Sequence, residues 1–296
     1  MTVRDTTGRV PDVKEKPDKM EEKLDVLKKN LGKYKNAVIA FSGGVDSTFL
    51  AKVAGEVYGD NLLLITATSS SYPFYELEEA TSLARSMGLK HRVIVSEEMQ
   101  IPGYVENPPD RCYYCKSELF QKISYIAEKE GYEVVLDGSN AEDMKEFRPG
   151  LKAKREFGVL SPLAEAGFTK NDIRFFSTKF GLPTASRPSY ACLASRIPYG
   201  ETITEGKLDR IGKAEFHVRK LGFTQFRIRS HENLARMEFL PEEMEKAWLL
   251  KEKLNEICIS AGFNFSTIDL KGYRSGSMNE TLTITEKERI LRPQGK

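Results

Sequence analysis

Ser42-Gly43-Gly44-Val45-Asp46-Ser47 constrains this chain more than any other stretch. It follows a short β-branched apolar run, Ala37-Val38-Ile39-Ala40-Phe41, which reads as a buried strand. It precedes Thr48 to Ala54, whose apolar residues recur at helical spacing. Glycines at such a turn let backbone N–H groups approach an anion, and the helix N-terminus behind them carries partial positive charge. The turn is therefore a phosphate cradle. It is not the common P-loop, because the Lys of G-x-x-x-x-G-K-[ST] is missing. Asp46 instead places a carboxylate among phosphates, which implies a bridging Mg²⁺. Ser42, Gly43, Gly44, Asp46 and Ser47 are thus candidate nucleotide-binding residues. The bland alternative, a Gly-rich turn without a ligand, leaves six matching positions and correct flanks unexplained.

The rest of the chain has a parallel α/β rhythm. Strands are expected at Leu62–Ala67, His91–Val95 and Glu133–Leu136, with helices at Met20–Asn30, Tyr75–Met87, Cys115–Glu130 and Asn171–Phe180. Strands alternating with helices imply right-handed crossovers and a parallel sheet, whose ligands sit at the carboxyl ends of the strands. The phosphate turn, Thr66–Tyr72 and Asp137–Asp143 lie at such ends, so Thr66 and Gly138 join the nucleotide-binding candidates. Beyond a Pro-, Ser- and Arg-rich segment ending at Gly200 the pattern changes. A helix at Lys207–Leu221, an alternating half-exposed strand at Thr224–Arg229, a strand at Leu234–Phe239, a helix at Pro241–Ala261 and a strand at Asn264–Leu270 make a small α+β unit. The expected organisation is a flexible arm over 1–19, a nucleotide-binding domain with the cysteines over 20–200, a substrate-binding or oligomerisation domain over 201–282, and a tail over 283–296.

Composition excludes some partners. With 296 residues, 40% hydrophobic and 30% charged, the chain is expected to be globular and soluble. No apolar run spans a bilayer and no signal peptide opens the chain, so a cytoplasmic location without membrane attachment is expected. A net charge of +2 leaves nucleic acid an unlikely partner.

Four cysteines in such a chain point to metal or catalysis more than to disulfides. Cys258 lies in Leu254-Asn255-Glu256-Ile257-Cys258-Ile259 and reads as a small core hydrophobe. Cys112 and Cys115 form a C-x₂-C at a helix start, and Cys192 lies far downstream; Arg111, Lys116 and Arg196 stand beside them and favour thiolates. Structural zinc lacks a fourth ligand. A redox dithiol leaves Cys192 idle. A 4Fe-4S cluster uses all three thiols and leaves one iron open. Spacing alone does not choose among these.

Six motifs together carry a family resemblance: Ser42–Ser47, Arg111–Lys116, Asp137-Gly138-Ser139-Asn140, Arg148-Pro149-Gly150, Ser161-Pro162-Leu163 and Cys192–Gly200. The first is similar to the PP-loop ATP pyrophosphatases, which hold the β,γ-pyrophosphate and transfer AMP. Together, from about Tyr34 to Asn279, they resemble the LarE family of ATP-dependent sulfur transferases, which make the pincer nucleotide of a nickel cofactor. The resemblance implies an α/β, adenine nucleotide alpha hydrolase-like domain with a smaller C-terminal α+β domain. It implies that ATP adenylates a carboxylate of a pyridinium mononucleotide and that sulfur then displaces AMP. The three-cysteine pattern resembles the branch in which Cys112, Cys115 and Cys192 hold a 4Fe-4S cluster that carries sulfide; the single-cysteine branch sacrifices the residue at the position of Cys192. Asp46 and Cys192 are then the catalytic candidates, and Arg227 and Arg229, alternating on one strand, the fork for substrate phosphate. Asp143 is a weaker acidic candidate, and Glu97 weaker still. A homo-oligomer is also expected from the family. The rival readings are tRNA thiolation and a nucleotide or iron–sulfur binding module without turnover.

Overall fold

A run buried on both faces alternates between two cores, and the strand at Ala37–Ala40 does so: Ala37 and Ile39 join one apolar layer, Val38 the other. The computed structural model describes residues 17–145, 148–188 and 191–291. Most of the expected arm and the last residues of the expected tail lie outside that range. Residues 17–19, assigned to the arm, instead open helix α1 (Pro17–Leu31).

Strand β1 (Ala37–Ala40) runs parallel to β2 (Leu62–Thr68) on one side and β4 (Val134–Leu136) on the other, and β2 runs parallel to β3 (Lys90–Val95). The order is β3-β2-β1-β4, with Ala40 beside Ile65 and Ile39 beside Leu136. This is the parallel α/β fold the motifs implied. The crossovers contain α2 (Val45–Tyr58), α3 (Phe74–Ser86), the short α4 (Pro102–Val105) and the long α5 (Arg111–Glu130). Three more helices follow β4: α6 (Gly150–Glu156), α7 (Pro162–Glu165) and α8 (Lys170–Lys179). Leu27, Phe49, Phe168 and Phe176 pack on one face of the sheet, while Phe120 and Ile123 of α5 pack on the other. Each such buried side chain contributes about 1.5–3 kcal/mol. α5 starts at Arg111, earlier than the expected Cys115, because the turn at Pro108 and Asp110 already supplies acceptors for the amides of Arg111 and Tyr113. Both residues of the C-x₂-C therefore ride on the helix.

The C-terminal part builds a second sheet of three strands in the order β5-β6-β7, from β5 (Phe226–His231), β6 (Leu234–Phe239) and β7 (Phe265–Ile268). β5 and β6 are antiparallel, and β6 and β7 parallel. Helix α9 (Glu205–Lys220) covers the sheet through Leu208, Ile211, Ala214 and Val218. The helix expected over Pro241–Ala261 is interrupted: a 3-10 turn leads into α10 (Met244–Leu249), and α11 (Lys251–Ser260) begins after a break at Leu250. β5 was expected to be half exposed. It is buried from Phe226 to Ser230, because Arg229 pairs with Glu238 and Arg227 donates to the Phe226 carbonyl and stacks on Tyr273. A last helix, α12 (Ile284–Leu291), falls in the expected tail. No helix among the described residues is long and apolar enough to cross a membrane.

The second core is not confined to the C-terminal sheet. Tyr104, Leu193, Ala194 and Ile197 belong to it, and Tyr114, Cys115 and Cys192 pack against it. Cys115 and Cys192 thus sit against this second core, with Cys112 exposed beside them.

Candidate functional site

The turn after β1 is held open as a cradle. Gly43 adopts φ 67°, and a methyl group there would stand 2.9 Å from the Ala80 side chain. Gly44 caps α2 without any side-chain bond, so first-turn amides of α2 are left for an anion. Ser42 and Ser47 face each other across the turn, their hydroxyls 3.2 Å apart. Tyr72 steadies the loop by donating to the Ser42 carbonyl at 2.9 Å. The strand end after β4 passes directly over the helix: a Cβ on Gly138 would lie 2.9 Å from the Ser47 amide nitrogen. Gly138 and the phosphate turn are therefore one surface.

Asp46 stands in the first turn of α2. One carboxylate oxygen pairs with the Lys170 ammonium at 2.5 Å, and the other, Oδ1, is buried without a hydrogen-bond partner. A buried carboxylate oxygen left unpaired is expensive unless a cation completes it. Magnesium is bound in just this manner, by one or two carboxylates together with phosphate oxygens, so the residues fit that ion. Asp143 lies close enough for the Asp46 charge to act on it; burial pushes its carboxyl above the usual range, against the pull of Arg148 at 2.7 Å. Glu97, by contrast, pairs with Lys122 on the surface.

Thr66 is corrected. It is buried, its hydroxyl donates to the Phe41 carbonyl at 2.7 Å and meets His91 Nε2 at 2.8 Å. Its side chain ties β2 to the end of β1 and to His91 of β3. Residues that sequence reasoning passed over include Lys170 and the buried Lys154, which bonds Ser161 and lies 3.7 Å from Asp137. The signal for Lys170 was the capping box Thr169-x-x-Asp172, which starts α8 beside the phosphate turn.

The expected arginine fork is separated by the structure. Arg229 donates to both oxygens of Glu238, at 3.1 and 2.9 Å, and to the Ser195 carbonyl at 2.7 Å. Arg227 stacks over Tyr273, 5.2 Å from its ring centre, and lines a cavity of about 110 Å³ with Tyr75, Glu76, Arg187 and Arg219. Arg187 reaches from that cavity to the Gly43 carbonyl at 3.3 Å and to Glu76 at 2.6 Å. Glu215 lines the cavity too, and Glu76 pairs with both Arg187 and Arg219, so its guanidinium groups are partly neutralised by carboxylates already in place.

Cys112 and Cys115 lie in the first turns of α5, and Cys192 caps the 3-10 turn Leu193–Arg196. The Leu193 amide donates to the Ser71 carbonyl at 2.9 Å, which ties the Cys192 loop to the carboxyl end of β2. Burial raises the Cys192 thiol, and the neighbouring Cys112 raises it further; burial likewise raises Cys115, with Glu98 and Cys192 acting in the same sense. The three thiols therefore stand within electrostatic reach of one another. Among the described residues no three His, Cys, Asp or Glu side chains are close enough to hold a single metal ion. A cluster holds its cysteines further apart than a single ion does, so this thiol donor set is compatible with one. Cys258 is elsewhere: it packs against Met237, and burial pushes its thiol up to about 12. Arg196 lies beside Cys192 and pulls its thiol down against the effect of burial, but it is itself fully buried and paired to Glu215 through two contacts of 2.9 Å.

No protein-family model matches the chain. Among curated proteins it is 36% identical over 246 residues to a pyridinium-3,5-bisthiocarboxylic acid mononucleotide synthase of Lactiplantibacillus plantarum, covering 83% of this chain and 89% of that one. The chain belongs to the LarE family of PP-loop ATP pyrophosphatases. It is also 44% identical over 267 residues to an uncharacterized protein of Synechocystis sp., covering 89% of this chain and 99% of that one. An uncharacterized protein of Methanocaldococcus jannaschii is 33% identical over 257 residues, with coverage of 86% and 98%. Membership in the LarE family makes the chain an ATP-using enzyme of the PP-loop type.

Proposed function

We propose that this LarE-family chain is an ATP-dependent sulfur transferase. It adenylates a carboxylate of a pyridinium mononucleotide and replaces AMP with sulfur to give a thiocarboxylate. The observation that carries the reading is the Lys-free turn at the α2 N-terminus with Asp46 Oδ1 buried and unpartnered. Mg²⁺ held by Asp46 and the triphosphate oxygens would complete that atom. The amides of α2 and Gly44 hold the β,γ-pyrophosphate, and Lys170 supplies positive charge beside it. A substrate carboxylate oxygen attacks the α-phosphorus and pyrophosphate leaves. A sulfur nucleophile then attacks the activated carbonyl, and AMP leaves with the electron pair of the broken C–O bond. Arg227 with Arg187 and Arg219 offers the substrate phosphate its site, while Arg229 is held by Glu238 and the Ser195 carbonyl.

Cys112, Cys115 and Cys192 would hold a 4Fe-4S cluster, which when bound supplies an open iron for sulfide. The packing of Cys115 and Cys192 against the second core, with the Cys192 loop tied to the carboxyl end of β2, supports a sulfur centre near the nucleotide. Exposed Trp248, Leu249, Phe265 and Leu270 support a homo-oligomer, and thiol chemistry of this kind suits the reducing cytoplasm.

The test is product analysis with ATP and a carboxylated pyridinium mononucleotide, under anaerobic conditions with sulfide. AMP, pyrophosphate and a thiocarboxylate are expected, with Asp46→Ala abolishing all three while the chain remains folded. ADP and phosphate, or AMP release that requires RNA instead of the mononucleotide, would overturn the reading.

A further inference from the structure

The cysteine site contains a charge that the rest of the chain leaves uncompensated. Arg111 is only 3% exposed, and a guanidinium stays protonated at any physiological pH. Its Nε and Nη1 are buried without a hydrogen-bond partner, and among the described residues no carboxylate pairs with it. The face of Tyr199 lies 5.0 Å away, which attracts the cation but satisfies neither N–H. Apart from burial, the groups acting on Arg111 are Cys112 and Cys192, then Tyr199 and Tyr104. A buried cation without a counter-charge is strongly unfavourable. The sulfurs of Cys112 and Cys192 are the foremost groups that can supply the compensating negative charge.

The other basic residues of the motifs differ. Arg196 spends its charge on Glu215. Lys116 is exposed, so water and salt screen it. Glu98, the buried carboxylate acting on Cys115 and Cys192, takes its bonds from Ser69 at 2.6 Å and from Ser71 and Tyr104, and adds negative charge to the same neighbourhood.

We propose that Arg111 is the resident cation of the cysteine site. It offsets the anionic sulfur, thiolate or sulfide, that Cys112, Cys115 and Cys192 hold, more than exposed Lys116 or Glu215-paired Arg196 does. The inference deepens the sulfur-transfer reading and rests on it only for the identity of the sulfur centre.

Two alkylating reagents test it on the iron-free full chain. Iodoacetate and iodoacetamide attack the same thiolate, so the ratio of their rates cancels the thiolate fraction and reports the local charge. Cys112 is exposed and can be followed by mass spectrometry. Arg111→Gln should lower the iodoacetate-to-iodoacetamide ratio at Cys112 about threefold or more, whereas Arg111→Lys retains it and Lys116→Gln changes it little. An unchanged ratio in Arg111→Gln, or an equal fall in Lys116→Gln, overturns the proposal. Should Arg111→Gln fail to fold, the wild-type ratio is compared with that of the unfolded chain: a raised ratio supports Arg111 as the cation and an equal one rejects it. In protein reconstituted with iron and sulfide, Arg111→Gln should also lower the midpoint potential, a tenfold change being about 59 mV for one electron. A wild-type chain that binds no iron removes the cluster from the functional reading, and the alkylation ratio still decides the role of Arg111.

Discussion

Gly138 shows what one absent methyl group does for this site. The strand end after β4 crosses the N-terminus of α2 so closely that a Cβ would stand 2.9 Å from the Ser47 amide. Gly138→Ala must push the phosphate turn aside, at a strain of roughly 1–3 kcal/mol. Formation of AMP should fall about tenfold or more, read by pyrophosphate release, while circular dichroism stays unchanged. A variant with full activity would show that the two loops are not one surface. Thr66 makes a different point: it occupies the right strand, and its hydroxyl donates to the Phe41 carbonyl and meets His91. The sequence shows that a residue is near a strand's carboxyl end, but which way its side chain turns depends on partners such as His91 that arrive from another strand.

At the scale of elements, α8 delivers Lys170 to Asp46, and its start is set by a capping box. Thr169 accepts from the Asp172 amide at 3.2 Å, and the Asp172 carboxylate accepts from the Thr169 amide at 2.8 Å and from Lys23 at 2.8 Å. Burial works against the Asp172 charge, yet Lys23 and Thr169 hold its carboxyl below the usual range. A depressed folded-state value means that the carboxylate stabilises the fold above its unfolded titration, and that this stability is lost as pH falls through the folded value. Asp172→Asn should therefore cost about 1 kcal/mol at neutral pH, by urea denaturation, and the difference from wild type should shrink in acid. It should also slow AMP formation, because the first turn of α8 no longer holds Lys170 in place. An equal cost at all pH values would mean that the charge is not what caps the helix.

At the scale of the whole molecule, one ion pair joins the cysteine loop to the C-terminal sheet. Arg196 donates to the Cys192 carbonyl at 3.0 Å and to Glu215 on α9, and Glu215 accepts from the Ile228 amide of β5 at 3.0 Å. Removing either partner strands a buried charge. Arg196→Ala or Glu215→Ala should each cost about 3–5 kcal/mol, while the double variant Arg196→Met, Glu215→Leu should cost less than either. Urea denaturation checks the ranking, and a double variant as unstable as both singles summed would show that the two residues act independently. Buried pairing of the same kind lets the strand expected to be half exposed be buried: Arg229 meets Glu238, and Glu215 accepts from the Ile228 amide.

The parallel α/β fold and the phosphate turn were determined locally. The apolar run at Ala37–Ala40, two glycines and a helical repeat lie within one short stretch, and backbone geometry allows them little else. Helix boundaries were less legible where polar first turns lack periodicity, as at Arg111, or where a helix breaks, as at Leu250. Only the tertiary structure decided which charges are spent and which are not. Arg111, Arg196, Arg227 and Arg229 read alike as basic residues beside motifs. Arg196 and Arg229 are satisfied by Glu215 and Glu238, Arg227 opens onto a cavity, and Arg111 is buried among thiols. Charge pairing depends on contacts between residues far apart in the chain, in a medium where water no longer screens them.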